Sequence, residues 1–178
     1  TIMKMLYTNI GTIDPWTKFP RKQLSKKTLL VIGLGKIGTL VNDLMKKFMI
    51  VNTYDITTNK PIELKSLIGK EECITIHIPN SKENKNFIDK EKLSWMKDGS
   101  ILINTSRGDI VDENALHDEL KISRITAAFD VFWEEPYIGK LFKFHPNPFY
   151  MTPHIASTCE DFLVGCRKDL DTLISEIR

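Results

Sequence analysis

The sequence predicts an α/β protein, a parallel doubly wound sheet with helices on both faces, and three observations carry that expectation. Short apolar runs alternate with helical patterns along most of the 178 residues. The first run, 29–32 (Leu-Leu-Val-Ile), feeds directly into Gly33-Leu34-Gly35-Lys36-Ile37-Gly38, a G-x-G-x-x-G loop that opens a helix. The strand after that helix closes on Asp55, about 20 residues beyond the loop, the interval at which such units carry an acid for a ribose.

The elements follow in order. In the loop, Gly33 makes the tight turn, Gly35 lets backbone N–H groups approach a pyrophosphate, and Gly38 lets helix and strand pack closely. Lys36 and Ile37 complete the expected phosphate-binding turn. Ile37, Leu40, Val41, Leu44, Met45 and Phe48 recur at helical spacing and predict one apolar face of a helix over 36–48. The next strand is expected at 50–54, ending at Asp55, whose carboxylate would accept from a 2'-hydroxyl and repel a 2'-phosphate, favouring NAD over NADP. A short helix at 61–68, a strand at 73–78, a helix at 90–96, a strand at 100–104, a helix at 113–121 and strands at 125–129 and 149–151 complete a Rossmann-like sheet. The flanks are read as a connecting segment, 1–27, and a C-terminal helix, 157–178. In that helix Ser157 and Glu160 form a capping box ahead of Phe162, Cys166, Leu170, Leu173 and Ile177.

Four polar landmarks stand beside the later strands: Asn104-Thr105-Ser106-Arg107-Gly108, Asp130-Val131, Glu135-Pro136 and Thr152-Pro153-His154. Arg107 lies just past a strand, where the carboxyl ends of parallel strands meet ligands, and its guanidinium fork can bind a carboxylate through two hydrogen bonds. His154 carries the side chain whose ordinary pKa lies nearest neutrality, so it can give a proton to a developing alkoxide and take one back. Glu135 would orient that ring and favour its charged form, with neighbouring Glu134 as a competitor for the same part. His117 reads as a solvated helix position and His145 as part of a proline-rich loop.

In combination these motifs resemble the NAD-binding domain of the D-isomer-specific 2-hydroxyacid dehydrogenases. The likeness also takes in His77-Ile78-Pro79, the segment 127–132 and Thr152-Pro153-His154-Ile155-Ala156-Ser157. It implies hydride transfer between NAD(H) and a D-2-hydroxy or 2-keto acid, with Arg107, Glu135 and His154 catalytic. It further implies that Thr105 and Ser106 touch the cofactor, that Asp130 and His154 meet the nicotinamide end, and that His77 and Pro79 line the adenosine side. Two departures accompany it. The substrate-binding lobe of the family has no counterpart in these residues, and the interval from Asp55 to His77 is short, so a strand or loop there is expected to be reduced or absent. The domain proper is assigned to 28–156.

Composition sets further limits. With 42% hydrophobic and 27% charged residues the chain can bury one substantial core. A net charge of +2 argues against a nucleic-acid partner, and Lys18, Arg21, Lys22, Lys26 and Lys27 read as a solvated basic linker. Cys73, Cys159 and Cys166 show no metal-ligand spacing and fit a reducing cytoplasm. No apolar run reaches the ~20 residues that a bilayer crossing needs. The expected protein is therefore a cytoplasmic, homodimeric NAD enzyme without a membrane or nucleic-acid partner. The competing readings are an NAD-sensing interaction module of corepressor type, a catalytically incompetent NAD-binding fragment and a structural dimerisation piece.

Overall fold

The computed structural model describes residues 22–155, 164–168 and 170. Six parallel strands form one sheet: β1 (Thr28–Ile32), β2 (Ile50–Tyr54), β3 (Cys73–Ile76), β4 (Ile101–Asn104), β5 (Thr126–Phe129) and β6 (Phe149–Met151). Their spatial order is β2-β1-β3-β4-β5-β6. Strands buried on both faces must be apolar throughout, and β3 is fully buried along its length while β1 is so after its first residue.

Among the described residues four helices of the domain flank the sheet: α1 (Lys36–Met45), α2 (Pro61–Ile68), α3 (Lys90–Trp95) and α4 (Glu113–Lys121). Each begins where its sequence allows. Pro61 starts α2, and the carboxylates of Asp89 and Asp112 accept from the backbone N–H of Lys92 and Ala115 to cap α3 and α4. Two apolar clusters fill the two faces of the sheet. One joins Leu29, Val31, Cys73, Ile103 and Ala128 to Met45 of α1. The other joins Leu30, Ile32, Ile74, Ile76 and Leu102 to Leu64, Leu93, Leu116 and Leu120 of α2, α3 and α4.

The chain winds outward from β1 to β2, then returns to lay β3 on the other side of β1. That reversal opens a crevice beyond the carboxyl ends of β1 and β3, the place where open α/β sheets bind ligands. The short interval after Asp55 holds α2 alone, so β2 forms the sheet edge where the common six-strand order places another strand. The expected reduction is thus the loss of that outer strand.

Helix α1 differs from the periodicity reading. Gly38, Asn42 and Met45 face inward, whereas Ile37, Leu40, Leu44 and Phe48 are 67%, 70%, 54% and 46% exposed. The cause is Gly38, where a Cβ would stand 1.8 Å from the Gly33 carbonyl oxygen. Close approach at that point fixes the rotation of the helix, and the apolar stripe turns outward. The helix also stops at Met45, three residues short of expectation, and β3 ends at Ile76.

The connecting segment before residue 22, and the Ser157/Glu160 capping box, lie outside the described residues. Lys22 is anchored rather than merely solvated, its Nζ 2.7 Å from Glu72 Oε1, and Leu24–Lys26 forms a short 3-10 turn. In the tail, 164–168 and 170 are helical, but Cys166 and Leu170 are exposed, contrary to a docked face at those two positions. Among the described residues no helix is long and apolar enough to cross a membrane.

Candidate functional site

The glycine loop is built by steric necessity at two positions and by openness at the third. Gly33 has φ +92°, and a Cβ there would meet the His77 carbonyl oxygen at 2.7 Å. Gly38 meets the loop's own backbone, as above. At Gly35 an added Cβ would find nothing within 4 Å, so this position faces open space at the start of α1. Lys36 and Ile37, the first residues of that helix, are exposed beside it. A bare backbone at a helix N-terminus beside open space fits a pyrophosphate, which is drawn there by unpaired N–H groups and the helix dipole.

Asp55 sits across the crevice and is already engaged. Its Oδ2 accepts from the Leu34 N–H at 2.7 Å, and its Oδ1 accepts from the Thr57 hydroxyl at 2.6 Å and the Thr57 N–H at 2.9 Å. The Thr57 hydroxyl first, then these amides, hold the carboxyl below its ordinary range, so it stays an anion. The crevice has a volume of about 320 Å³ and is lined by Gly33, Gly35, Asp55, His77, Ile78 and Pro79 among others. His77 contributes differently from a polar ligand. Its Nε2 lies 3.0 Å from the Thr75 hydroxyl, and burial pushes its pKa down to about 4, so the ring is neutral and packs beneath the loop.

The loop after β4 is shaped by Asn104, fully buried, whose side chain accepts from the Ser106 N–H at 3.0 Å and donates to the Arg107 carbonyl at 2.8 Å. Thr105 is half-buried in this loop. The Ser106 hydroxyl donates to the Ile76 carbonyl at 2.7 Å, which ties the loop to β3. Arg107 is exposed, with Nη1 donating to the Ser106 carbonyl at 2.7 Å. Gly108 packs so closely that a Cβ would stand 2.1 Å from the Phe132 carbonyl carbon. That contact sets the Arg107 segment against the chain leading to Glu135.

Glu135 and His154 meet: Oε2 and Nδ1 are 2.8 Å apart, with side chains 39% and 40% exposed. The other oxygen, Oε1, accepts from the Phe132 N–H at 3.0 Å. The His154 contact, the Phe132 amide and the Arg107 charge hold the Glu135 carboxyl below its usual range. It is Glu135, not its neighbour Glu134, that meets the ring. A carboxylate on Nδ1 leaves Nε2 to face a substrate. Asp130, 5% exposed at the end of β5, accepts at Oδ1 from the Thr152 hydroxyl at 2.5 Å and the Ile155 N–H at 3.1 Å.

Asn104, Gly108 and Thr152 belong to the quoted motifs, but the sequence reading gave them no part. An Asn at a strand end followed by a tight loop was the available signal for the first. His117 is not a solvated position: its side chain is 19% exposed and its ring lies 5.5 Å from that of Phe144. His145 is in its expected loop, with Nδ1 accepting from the Met151 N–H at 3.3 Å.

A glycine cradle at a sheet's reversal point with an acid across it defines a dinucleotide-binding domain, and this one also carries an imidazole–carboxylate pair beside an arginine. Residues 9–156 match the family model described as D-isomer specific 2-hydroxyacid dehydrogenase, NAD binding domain, and the chain belongs to that family. It is 37% identical over 154 residues to glyoxylate reductase of Thermococcus litoralis, covering 80% of this chain and 46% of that protein. It is 34% identical over 177 residues to D-3-phosphoglycerate dehydrogenase of Synechocystis, covering 90% and 32%. The crystal structure of D-lactate dehydrogenase from Aquifex aeolicus, complexed with NAD and lactic acid, superposes with a TM-score of 0.82 at 25% identity, covering 99% of this chain and 63% of that one. The chain spans from about a third to under two thirds of the length of these relatives.

Proposed function

We propose that this chain is the cofactor-binding half of an NAD-dependent dehydrogenase acting on a D-2-hydroxy acid and its 2-keto partner. The observation that carries the reading is the 2.8 Å contact between Glu135 and His154, with the Arg107 charge acting on the same carboxylate. NAD, when bound, supplies or accepts hydride at its nicotinamide. Gly33, Gly35, Lys36, Ile37 and Gly38 would hold its pyrophosphate, Asp55 its ribose, His77 and Pro79 the adenosine wall, and Thr105, Ser106 and Asp130 the nicotinamide end. Arg107 would bind the substrate carboxylate through a two-bond fork, fixing the keto carbon as well as attracting the anion. His154 would give its proton to the developing alkoxide oxygen and recover it in the reverse direction, with Glu135 stabilising the charged ring.

The relatives' names favour chemistry over an NAD-sensing interaction module, since they are reductases and dehydrogenases. A homodimer and a cytoplasmic setting belong to the same proposal. The exposed Ile37, Leu40, Leu44 and Phe48 stripe supports the first, because large apolar stripes on a monomer are uncommon. Free thiols at Cys73 and Cys166 support the second.

The experiment is made on the full-length protein, assayed with NADH and glyoxylate, pyruvate or hydroxypyruvate. Turnover of at least one acid, reduced by about a hundredfold or more by Arg107→Ala with NADH affinity retained, is the expected result. Undiminished turnover after Arg107→Ala would remove the arginine from its role.

A further inference from the structure

His154 has φ 52°, in the left-handed region that an L side chain adopts only when its surroundings impose it. Four backbone and side-chain bonds surround this one residue. Its own N–H donates to the Thr152 carbonyl at 3.0 Å, and the Thr152 N–H donates to the Phe129 carbonyl at 3.0 Å, which seats the turn on the end of β5. On the carboxylate side, Asp130 Oδ1 takes the Thr152 hydroxyl at 2.5 Å and the Ile155 N–H at 3.1 Å. One oxygen therefore grips the chain two residues before the imidazole and one residue after it. The carboxylate is itself fixed: Asp130 is 5% exposed, and its N–H donates to the Asn104 carbonyl at 3.1 Å.

We propose that Thr152 is a positioning residue for His154, its hydroxyl closing a clamp on Asp130 Oδ1 that holds the left-handed turn and aims the ring at Glu135. The proposal rests on the acid/base reading of His154 and adds a part for Thr152 that hydride transfer does not by itself require. A hydroxyl suits this place because it donates to a carboxylate at short range while its own backbone carbonyl accepts from His154. Valine has the same shape without the donor. It would leave Asp130 Oδ1 gripping only the Ile155 side, and the turn could relax toward ordinary backbone angles, swinging Nδ1 away from Glu135.

A merely structural part for Thr152 would change folding and cofactor affinity together. A positioning part changes turnover alone. Full-length Thr152→Val and Thr152→Ser variants are therefore compared for NADH-dependent reduction of glyoxylate, pyruvate and hydroxypyruvate, for NADH binding by fluorescence titration, and for hydrogen exchange of the Ile155 amide. Thr152→Val should lower kcat by about tenfold or more with the NADH Kd within about twofold, and Thr152→Ser should restore kcat to within about threefold of the parent. The Ile155 amide should exchange faster in the valine variant and at the parent rate in the serine variant. An unchanged kcat in Thr152→Val, a serine variant as impaired as the valine one, or an NADH affinity that falls in step with kcat would each overturn the proposal. Should the parent reduce none of the three acids, the functional reading fails. The exchange measurement still decides the clamp, which is refuted if Ile155 stays protected in Thr152→Val.

Discussion

Replacing Gly108 by alanine should separate the site's architecture from its cofactor crevice. The added Cβ would stand 2.1 Å from the Phe132 carbonyl carbon and 2.4 Å from both the Phe132 oxygen and the Trp133 nitrogen. Ordinary contact begins near 3.4 Å, so the two backbone segments must part by about 1.3 Å. Backbone cannot rotate out of the way as a flexible side chain would. Overpacking of this kind costs about 1–3 kcal/mol, which for a chain of this size lowers Tm by roughly 2–12 °C. The displacement falls between Arg107 and the segment that carries Glu135, and misplacement by ~1 Å can cost on the order of a hundredfold in rate. Gly35→Ala is the counterpart. Its Cβ meets nothing within 4 Å and its φ of −66° suits alanine, so stability should hold while NADH affinity falls. Thermal melts, NADH titration and full-length turnover of both variants test the pair. A Gly108→Ala protein with the parent's Tm and kcat would refute the close-approach argument, and a Gly35→Ala protein with undiminished NADH affinity would remove the pyrophosphate from the loop.

Three other predictions follow from the polar groups. Asp55→Ala should narrow the preference for NADH over NADPH, because it removes the charge that repels a 2'-phosphate; fluorescence titration showing NADPH already the tighter ligand of the unaltered chain would sink the assignment. His154→Ala should let the Glu135 carboxyl rise toward its ordinary range, since the ring is the largest influence holding it down; ¹³C NMR of selectively labelled glutamate would read this, and an unmoved midpoint would deny the pair. The folded-state pKa of His77 is depressed from 6.5 to about 4 by burial, so the unfolded chain takes up this proton first and stability is lost as pH falls through that window. His77→Gln should flatten the acid limb of a Tm-against-pH curve between those values, whereas parallel curves would place the acid sensitivity elsewhere.

Most of the fold was legible because period and punctuation agree. Pro61 starts α2, Asp89 and Asp112 cap α3 and α4, and the glycine loop separates β1 from α1, so the order of elements could be read with small errors at their ends. The orientation of α1 was not legible in the same way. Its apolar stripe and its glycine face differ by about one residue's rotation on the helix, and periodicity favours the larger side chains. Only the contact of Gly38 with the Gly33 carbonyl decides between them, and that contact is tertiary. The choice between Glu135 and Glu134 was open for a related reason: adjacent acids on a loop have no period, and the Phe132 N–H that donates to Oε1 is a property of the turn. His77 lines the crevice as expected, but its state was not legible. A histidine in a motif gives no sign of its charge, and it is burial, with the Thr75 hydroxyl beside Nε2, that makes this wall residue neutral.

The anions of the site are each held by backbone N–H groups, Asp55 and Asp130 by those of a neighbouring segment and Glu135 by that of its own turn. Asp55 accepts from Leu34, Glu135 from Phe132 and Asp130 from Ile155, while Asn104 bridges the ends of its own loop. The Asp55 and Asp130 bonds cross from one strand's carboxyl end to another loop, and those of Glu135 and Asn104 close their own turns, so the crevice, the arginine loop and the histidine turn are shaped before any ligand arrives. Preorganisation of this kind lowers the reorganisation required when charge develops, because the dipoles already point where they are needed. It also means that a conservative change at Asp55 or Asp130 moves two segments at once, and one at Glu135 moves its own turn. Asp55→Asn, Glu135→Gln and Asp130→Asn should therefore each loosen the loop that donates to the altered side chain as well as removing a charge. Hydrogen exchange at Leu34, Phe132 and Ile155 reads that loosening separately from catalysis. Amides that remain as protected in these variants as in the parent would show that the loops are held by their own packing and that the anions serve only the ligand.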